Sequence, residues 1–197
     1  MRDISNSGQV GPALSTANED STATGFESDQ GGFMVNYPFV YPRGLAAVEA
    51  GTLDQATVDD YAAAVYPQVD EGTPAAPPYG GINLGVGALS EHPDLAYDAT
   101  ECITSTENQA YYFVHDGNAS SDTTVYDDPE VLEAFPMAET IRDSLEQAAP
   151  RPLTAYYSEV TSSIQRSYHP PESVTPGVTG ERATELITSV LAGEQLL

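Results

Sequence analysis

The stretch GGFMVNYPFVY, residues 31–41, decides how the rest of the chain is read. A glycine pair leads into an apolar run that ends at Pro38. That pattern predicts a short buried strand over 33–36, because a proline cannot continue a hydrogen-bonded ladder. A second run, INLGVGAL (82–89), alternates apolar with small residues and predicts another strand or a crossover. Outward from these, almost everything carries helical spacing. Helices are expected near 15–22, as a short turn over RGLAAVEAG (43–51), and over 52–65 with Thr57 as a cap. One long helix is expected from 94 to 113, with Pro93 at its first position. PEVLEAF (129–135) and MAETIRDSLEQA (137–148) follow, the second with an apolar stripe of Met137, Ile141, Leu145 and Ala148. The last two are AYYSEVTSSIQRSY (155–168), with Tyr157, Val160 and Ile164 in register, and ERATELITSVLAG (181–193), with Leu186, Ile187, Val190 and Leu191 inward. Two or three strands are too few for the sheet that so many helices would cover. The fold class expected is therefore α/β, helix-rich, with incomplete sheets.

Charge bounds the function. The 197 residues carry 30 Asp plus Glu against six cations, a formal net charge of −24, and all six cations are arginine. Nucleic-acid binding needs cations at phosphates and is excluded as a default. Self-repulsion of this size opposes compactness at low salt, whereas at molar salt the screening length falls to about 3 Å. A chain without lysine and this acidic reads as the product of a salt-loving organism. A single cysteine, Cys102, permits no internal disulfide. Beside Ala99, Ile103 and Tyr97 it reads as a buried small hydrophobe. No apolar window is long enough to span a bilayer. The first sixteen residues lack the apolar core of a secretory signal, so no export signal is expected in them.

Catalytic chemistry finds little support. There is no G-x-S-x-G, and His92, His115 and His169 lie in polar or proline-rich loops, where surface histidine is the simpler reading. No zinc-ligand spacing occurs. Asp116, Asn118, Ser120 and Asp122 alternate as in a calcium loop, but Ser121 stands where glycine is needed and Asp127 where glutamate is, so a solvated loop is the better reading. Asn118-Ala119-Ser120 forms an N-glycosylation sequon. Glycoside chemistry would need two opposed carboxylates, and no pair presents itself. The expectation is no enzyme, no cofactor and no metal.

Aromatic residues point elsewhere. Twelve tyrosines and no tryptophan cluster beside turns, at Tyr37 and Tyr41, Tyr79, Tyr111 and Tyr112, and Tyr156 and Tyr157. A sugar ring has apolar faces and a belt of hydroxyls, and it is held by aromatic faces together with amides and guanidinium groups. NYPFVY, PYGGIN and PRPLTAYY each join an aromatic to a Gly- or Pro-fixed backbone and a hydrogen-bonding side chain. Packing in the core is the alternative for any one of these rings.

These segments, in this order, resemble the C-terminal half of extracellular solute-binding proteins of sugar ABC transporters, the trehalose/maltose type above all. The resemblance rests on FMVNYPF, PYGGINLGV, SEHPDLA, VYDDPEV and PRPLTAYYSEVTSSIQ, and runs from about Leu14 to the end of the chain. It implies a periplasmic-binding-protein-like type II fold, two α/β lobes with sugar in the cleft. Residues 1–14 would be a polar N-terminal segment and 15–197 the C-terminal portion of that two-lobe fold. Tyr37 holds the place of the family's sugar-stacking tryptophan, with Phe39 a second candidate. Asn36 and Arg151 would bind hydroxyls, Gly80 and Gly81 would let backbone approach the ligand, and Tyr156 or Tyr157 would line the cleft. The family works outside the cell and carries an export signal. The implied partners are a sugar, the permease subunits and, for a split protein, a separate N-terminal half. By this resemblance the chain is expected to be a truncated, haloarchaeal-type fragment, with Phe33 and Val35 short of strand partners. The competing expectation is an acidic structural, surface or virion protein of a halophile, without ligand.

Overall fold

The computed structural model describes residues 1–11, 13–28, 30–68 and 70–196; Leu197, the last residue of the second expected segment, lies outside them. In chain order the helices are α1 (Arg2–Ser5), α2 (Glu19–Glu27), α3 (Val40–Glu49), α4 (Gln55–Asp59), α5 (Pro93–Ile103), α6 (Thr106–Asp116), α7 (Pro129–Ala134), α8 (Ala138–Gln147), α9 (Tyr157–Tyr168) and α10 (Val178–Leu191). Two 3₁₀ turns, Thr123–Asp127 and Pro171–Ser173, lie between them. The chain divides into two compact units, one of Val35–Arg151 and one of Met1–Met34 with Pro152–Leu197.

The first unit is built around aromatic rings. Phe113 of α6, Val125 and Tyr126 of the 3₁₀ turn, Val131 of α7, Phe135 and Ala138 form its buried cluster, with Tyr41, Met137 and Ile141 packed against it. Phe113 stacks on Phe135 at 4.5 Å between centroids and meets Tyr126 at 5.3 Å; Tyr41 meets Phe135 edge-on at 5.0 Å. Such pairs add to the burial of large apolar surface. The turn at 123–127 lies inside a stretch whose polar composition predicted an open loop, yet it inserts Val125 and Tyr126. The Tyr126 hydroxyl donates to the Ser120 carbonyl at 2.9 Å, so the buried phenol is satisfied.

In the second unit small residues let two helices approach. Ser163 and Ser167 of α9, with Thr179 and Ala183 of α10, are buried. Each serine hydroxyl bonds back to its own helix, Ser163 to the Glu159 carbonyl and Ser167 to that of Ser163. Arg182 donates to the Ser167 carbonyl at 2.8 Å. Leu191, expected inward, is exposed, and so is Ile164.

Several boundaries differ from expectation for local reasons. α2 starts at Glu19 because Asn18 and Ser21 cap each other reciprocally. α4 stops at Asp59: two carboxylates in succession, Asp59 and Asp60, oppose the negative end of the helix dipole. Thr57 lies inside that helix rather than capping it; the N-cap is Asp54. The expected single helix over 94–113 breaks at Thr104-Ser105. There Ser105 caps α6 by accepting from the Asn108 N–H, while the Asn108 and Gln109 side-chain amides donate to the Cys102 and Thr104 carbonyls that end α5.

The strands are the larger correction. Among the described residues the only β pairing is one parallel bridge, Pro78 with Ala149. Residues 33–36 are not a buried strand: Phe33 is 99% exposed and Val35 67%. The run over 82–89 forms no ladder among the described residues, and it ends in a turn at Ala88-Leu89, where the Ser90 N–H donates to the Gly87 carbonyl at 3.0 Å. Cys102 is exposed, not buried, because α5 buries none of its residues. In the α8 stripe Met137 and Ile141 reach the core but Leu145 does not.

Candidate functional site

Two of the sequence segments singled out for binding are brought together. The Tyr79 N–H donates to the Ala149 carbonyl at 3.1 Å, and the Ala149 N–H to that of Pro77 at 2.9 Å. This pairing carries Arg151 alongside residues 79–81. Its Nη1 donates to the Tyr79 carbonyl at 3.0 Å. Gly80 makes room for it, since a Cβ there would stand 3.3 Å from the same nitrogen. Gly81 has open space around it instead, so nothing within the chain demands glycine there. Arg151 is exposed, flanked by Pro150 and Pro152, which fix the backbone on both sides. A guanidinium has five N–H donors, and one of them is bonded here.

The third segment, 36–39, is anchored at the C-terminal end of α6. The Asn36 Oδ1 accepts from the Tyr37 N–H at 2.9 Å. Tyr37 exposes its ring, whereas Phe39 is half-buried where α3 begins. Gly117 caps α6 in the left-handed conformation, φ 69°, and its missing side chain admits the Pro38-Phe39 backbone. All of these residues belong to the unit Val35–Arg151, while Tyr156 and Tyr157 lie in the other. Tyr156 is the exposed N-cap of α9, its N–H donating to the Thr154 hydroxyl, and Tyr157 is half-buried in the first turn.

The calcium-like spacing around 116–122 is spent on structure. Gln109 Oε1 accepts from the Ser120 hydroxyl, from the Ser121 N–H and hydroxyl at 3.0 Å each, and from the Asp122 N–H at 3.3 Å. Asp122 is held below the usual carboxylate range, first by the Thr106 hydroxyl at 2.5 Å and then by the Thr124 hydroxyl and N–H. Among the described residues no three metal-ligating side chains converge. Burial pushes the Tyr126 phenol up to about 12. Sequence reasoning missed Gln109, which lay inside a helical pattern with nothing to mark it. It also passed over the Tyr79 backbone, although Pro77-Pro78 before it was a signal of a fixed chain path.

Two hollows, of about 600 and 360 Å³, open on the other unit. The larger is lined by Ser162, Gln165 and Arg166 of α9 and by His169, its C-cap; neither includes a residue proposed from the sequence. No helix among the described residues is long and apolar enough to cross a membrane.

No protein-family model matches the chain. It is similar to a "Probable ABC transporter-binding protein" of Deinococcus radiodurans, 27% identical over 162 residues, which is 80% of this chain and 36% of that protein. Its fold is shared with a solved structure, the maltose-bound T. maritima MalE3, at a TM-score of 0.78 and 24% identity, over 98% of this chain and 48% of that one. The chain thus spans 36% of the length of one and 48% of the other.

Proposed function

We propose that this chain is part of the substrate-binding component of an ABC transporter for sugars, working outside the cell. Residues 15–197 form the C-terminal portion of a two-lobe fold that captures a mono- or disaccharide of the trehalose/maltose kind and delivers it to permease subunits. Capture involves no bond chemistry. The exposed Tyr37 and Tyr156 rings, with Phe39 and Tyr157, stack on sugar faces, and Asn36, Arg151 and the Gly80-Gly81 backbone take hydroxyls. The observation that carries this reading is the join of 77–81 to 149–151. It supports an aimed, solvent-facing guanidinium held over a glycine-lined backbone. The similarity to a probable transporter-binding protein and the shared fold with a maltose-bound protein support the same reading.

Calorimetric titration of the full gene product in molar KCl with maltose, trehalose and glucose tests it. Binding of at least one sugar, weakened by Arg151→Ala, is expected. Absence of heat with all three, in a protein that melts cooperatively, would remove the sugar assignment and favour a ligand-free surface protein.

A further inference from the structure

Asn118-Ala119-Ser120 has no part in sugar capture, and the fold puts its two polar ends in opposite situations. Nowhere else in the chain is an asparagine followed, two positions on, by Ser or Thr. Asn118 comes directly after the left-handed Gly117 that caps α6, and its N–H donates to the Tyr112 carbonyl at 3.3 Å. That bond fixes the backbone and leaves the side chain out of it. Asn118 and Ala119 are exposed, and among the described residues the Asn118 amide has no hydrogen-bond partner. The side chains of Asn18 and Asn108, by contrast, cap α2 and tie down the end of α5. Ser120 is the reverse of Asn118. It is 3% exposed, and its hydroxyl donates to Gln109 Oε1 and accepts from the Asp122 N–H, both at 3.0 Å. Its carbonyl accepts from the buried Tyr126 phenol.

We propose that Asn118 is a site of N-linked glycosylation, filled before the loop 118–122 closes. The substrate class is an oligosaccharide carried on a lipid phosphate or diphosphate. Asn118 Nδ2 attacks the anomeric carbon of the first sugar. The N–C bond forms, the C–O bond to phosphate breaks, the amide proton passes to a base of the transferase, and the lipid phosphate leaves. The motif demands a hydroxyl at its third position, so the transferase has to reach Ser120. In the closed loop that hydroxyl is buried and bonded, and the acceptor is competent only while the loop is open. Closure then sequesters Ser120 and leaves the glycan in solvent, where it displaces no contact of the fold. A glycan is bulky and hydrated. It keeps molecules apart by volume rather than by charge, so salt does not screen it, as salt screens the net charge of −24. This rests on the extracellular working place proposed above, because a sequon is an acceptor in exported chains.

Peptide mass spectrometry tests it on the full gene product from its own cells, fractionated into material inside and outside the cytoplasmic membrane. A glycan mass on the peptide containing Asn118, localised to that residue by fragmentation, is expected in the outside fraction. Asn118→Gln should remove it and leave the thermal midpoint of the unglycosylated protein unchanged, because no contact is lost. Bare Asn118 in the outside fraction overturns the proposal and leaves the extracellular location standing. Bare Asn118 in a protein found only inside overturns both. The order of events is read on unglycosylated protein, folded in molar KCl and offered to membranes of the same cells, which hold the transferase and its lipid-linked donor. Gln109→Ala, in a variant that still melts cooperatively, frees the Ser120 loop and should be modified about tenfold faster or more than the parent. Equal rates in the two overturn modification ahead of loop closure.

Discussion

A methyl group on Gly117 would stand 2.5 Å from both the Cα and the N of Phe39, and 2.7 Å from the carbonyl carbon of Pro38. Backbone, unlike a flexible side chain, cannot swing aside. The left-handed φ of 69° adds a further cost for any residue with a Cβ. Gly117→Ala is therefore expected to destabilise the unit Val35–Arg151 by about 3 kcal/mol, lowering its thermal midpoint by more than about 10 °C. Gly25→Ala is the control: it lies in α2 with nothing within 4 Å, and removing a helical glycine should raise stability by about 0.5 kcal/mol.

Tyr126 links stability to alkaline pH. Its phenol keeps its proton up to about 12 in the folded chain, against about 10 for an unfolded tyrosine. Between those values the folded state binds the extra proton, so stability is whole below pH 10 and falls as pH rises towards 12. Tyr126→Phe should cost about 1 kcal/mol at neutral pH, through the lost bond to Ser120, and flatten that alkaline decline. Melting curves at closely spaced pH values would read both effects. A decline as steep in the variant as in the parent would show that another group drives it.

Gln109 holds the loop from Ser120 to Asp122 with one carbonyl oxygen and ties α6 to the end of α5 with its amide nitrogen. Gln109→Ala leaves the nearly buried Ser120 hydroxyl without its side-chain acceptor. A loss of about 2 kcal/mol is expected, with faster amide exchange at Ser121 and Asp122. Retained protection at those two amides would mean that the loop is set by the Asp122 cap instead.

Arg151 separates binding from folding. Its side chain is exposed, so Arg151→Lys should change stability by less than about 0.5 kcal/mol. A lysine offers a point charge in place of the planar fork, and sugar affinity of the full gene product should fall about tenfold or more. Equal affinity in the lysine variant would take Arg151 out of the proposed site.

Where a local rule governs, the sequence is readable. Pro93 and Pro129 open α5 and α7 as expected, and the α9 and α10 patterns are helices. The break between α5 and α6 was hidden because apolar spacing runs across it, and only the side-chain bonds of Ser105, Asn108 and Gln109 divide the helix. Strand periodicity at 33–36 and 82–89 was genuine composition, but a strand exists through its neighbour, and the described residues supply one bridge. For the candidate site, Gly80 and Arg151 were each legible as part of a Pro/Gly-fixed segment, but that the two segments meet was not. That Tyr79 would offer a carbonyl rather than a ring to that arginine depends on backbone direction, which residue type does not encode.

The excess of carboxylates also sets how the protein behaves in concentrated solution. At low ionic strength the net charge of −24 keeps copies apart. Salt that relieves this repulsion inside each molecule relieves it between molecules too, because both are screened over the same short distance. Stability and colloidal behaviour therefore pull in opposite directions along one axis. Raising KCl should raise the melting temperature while lowering the concentration at which the chain by itself associates.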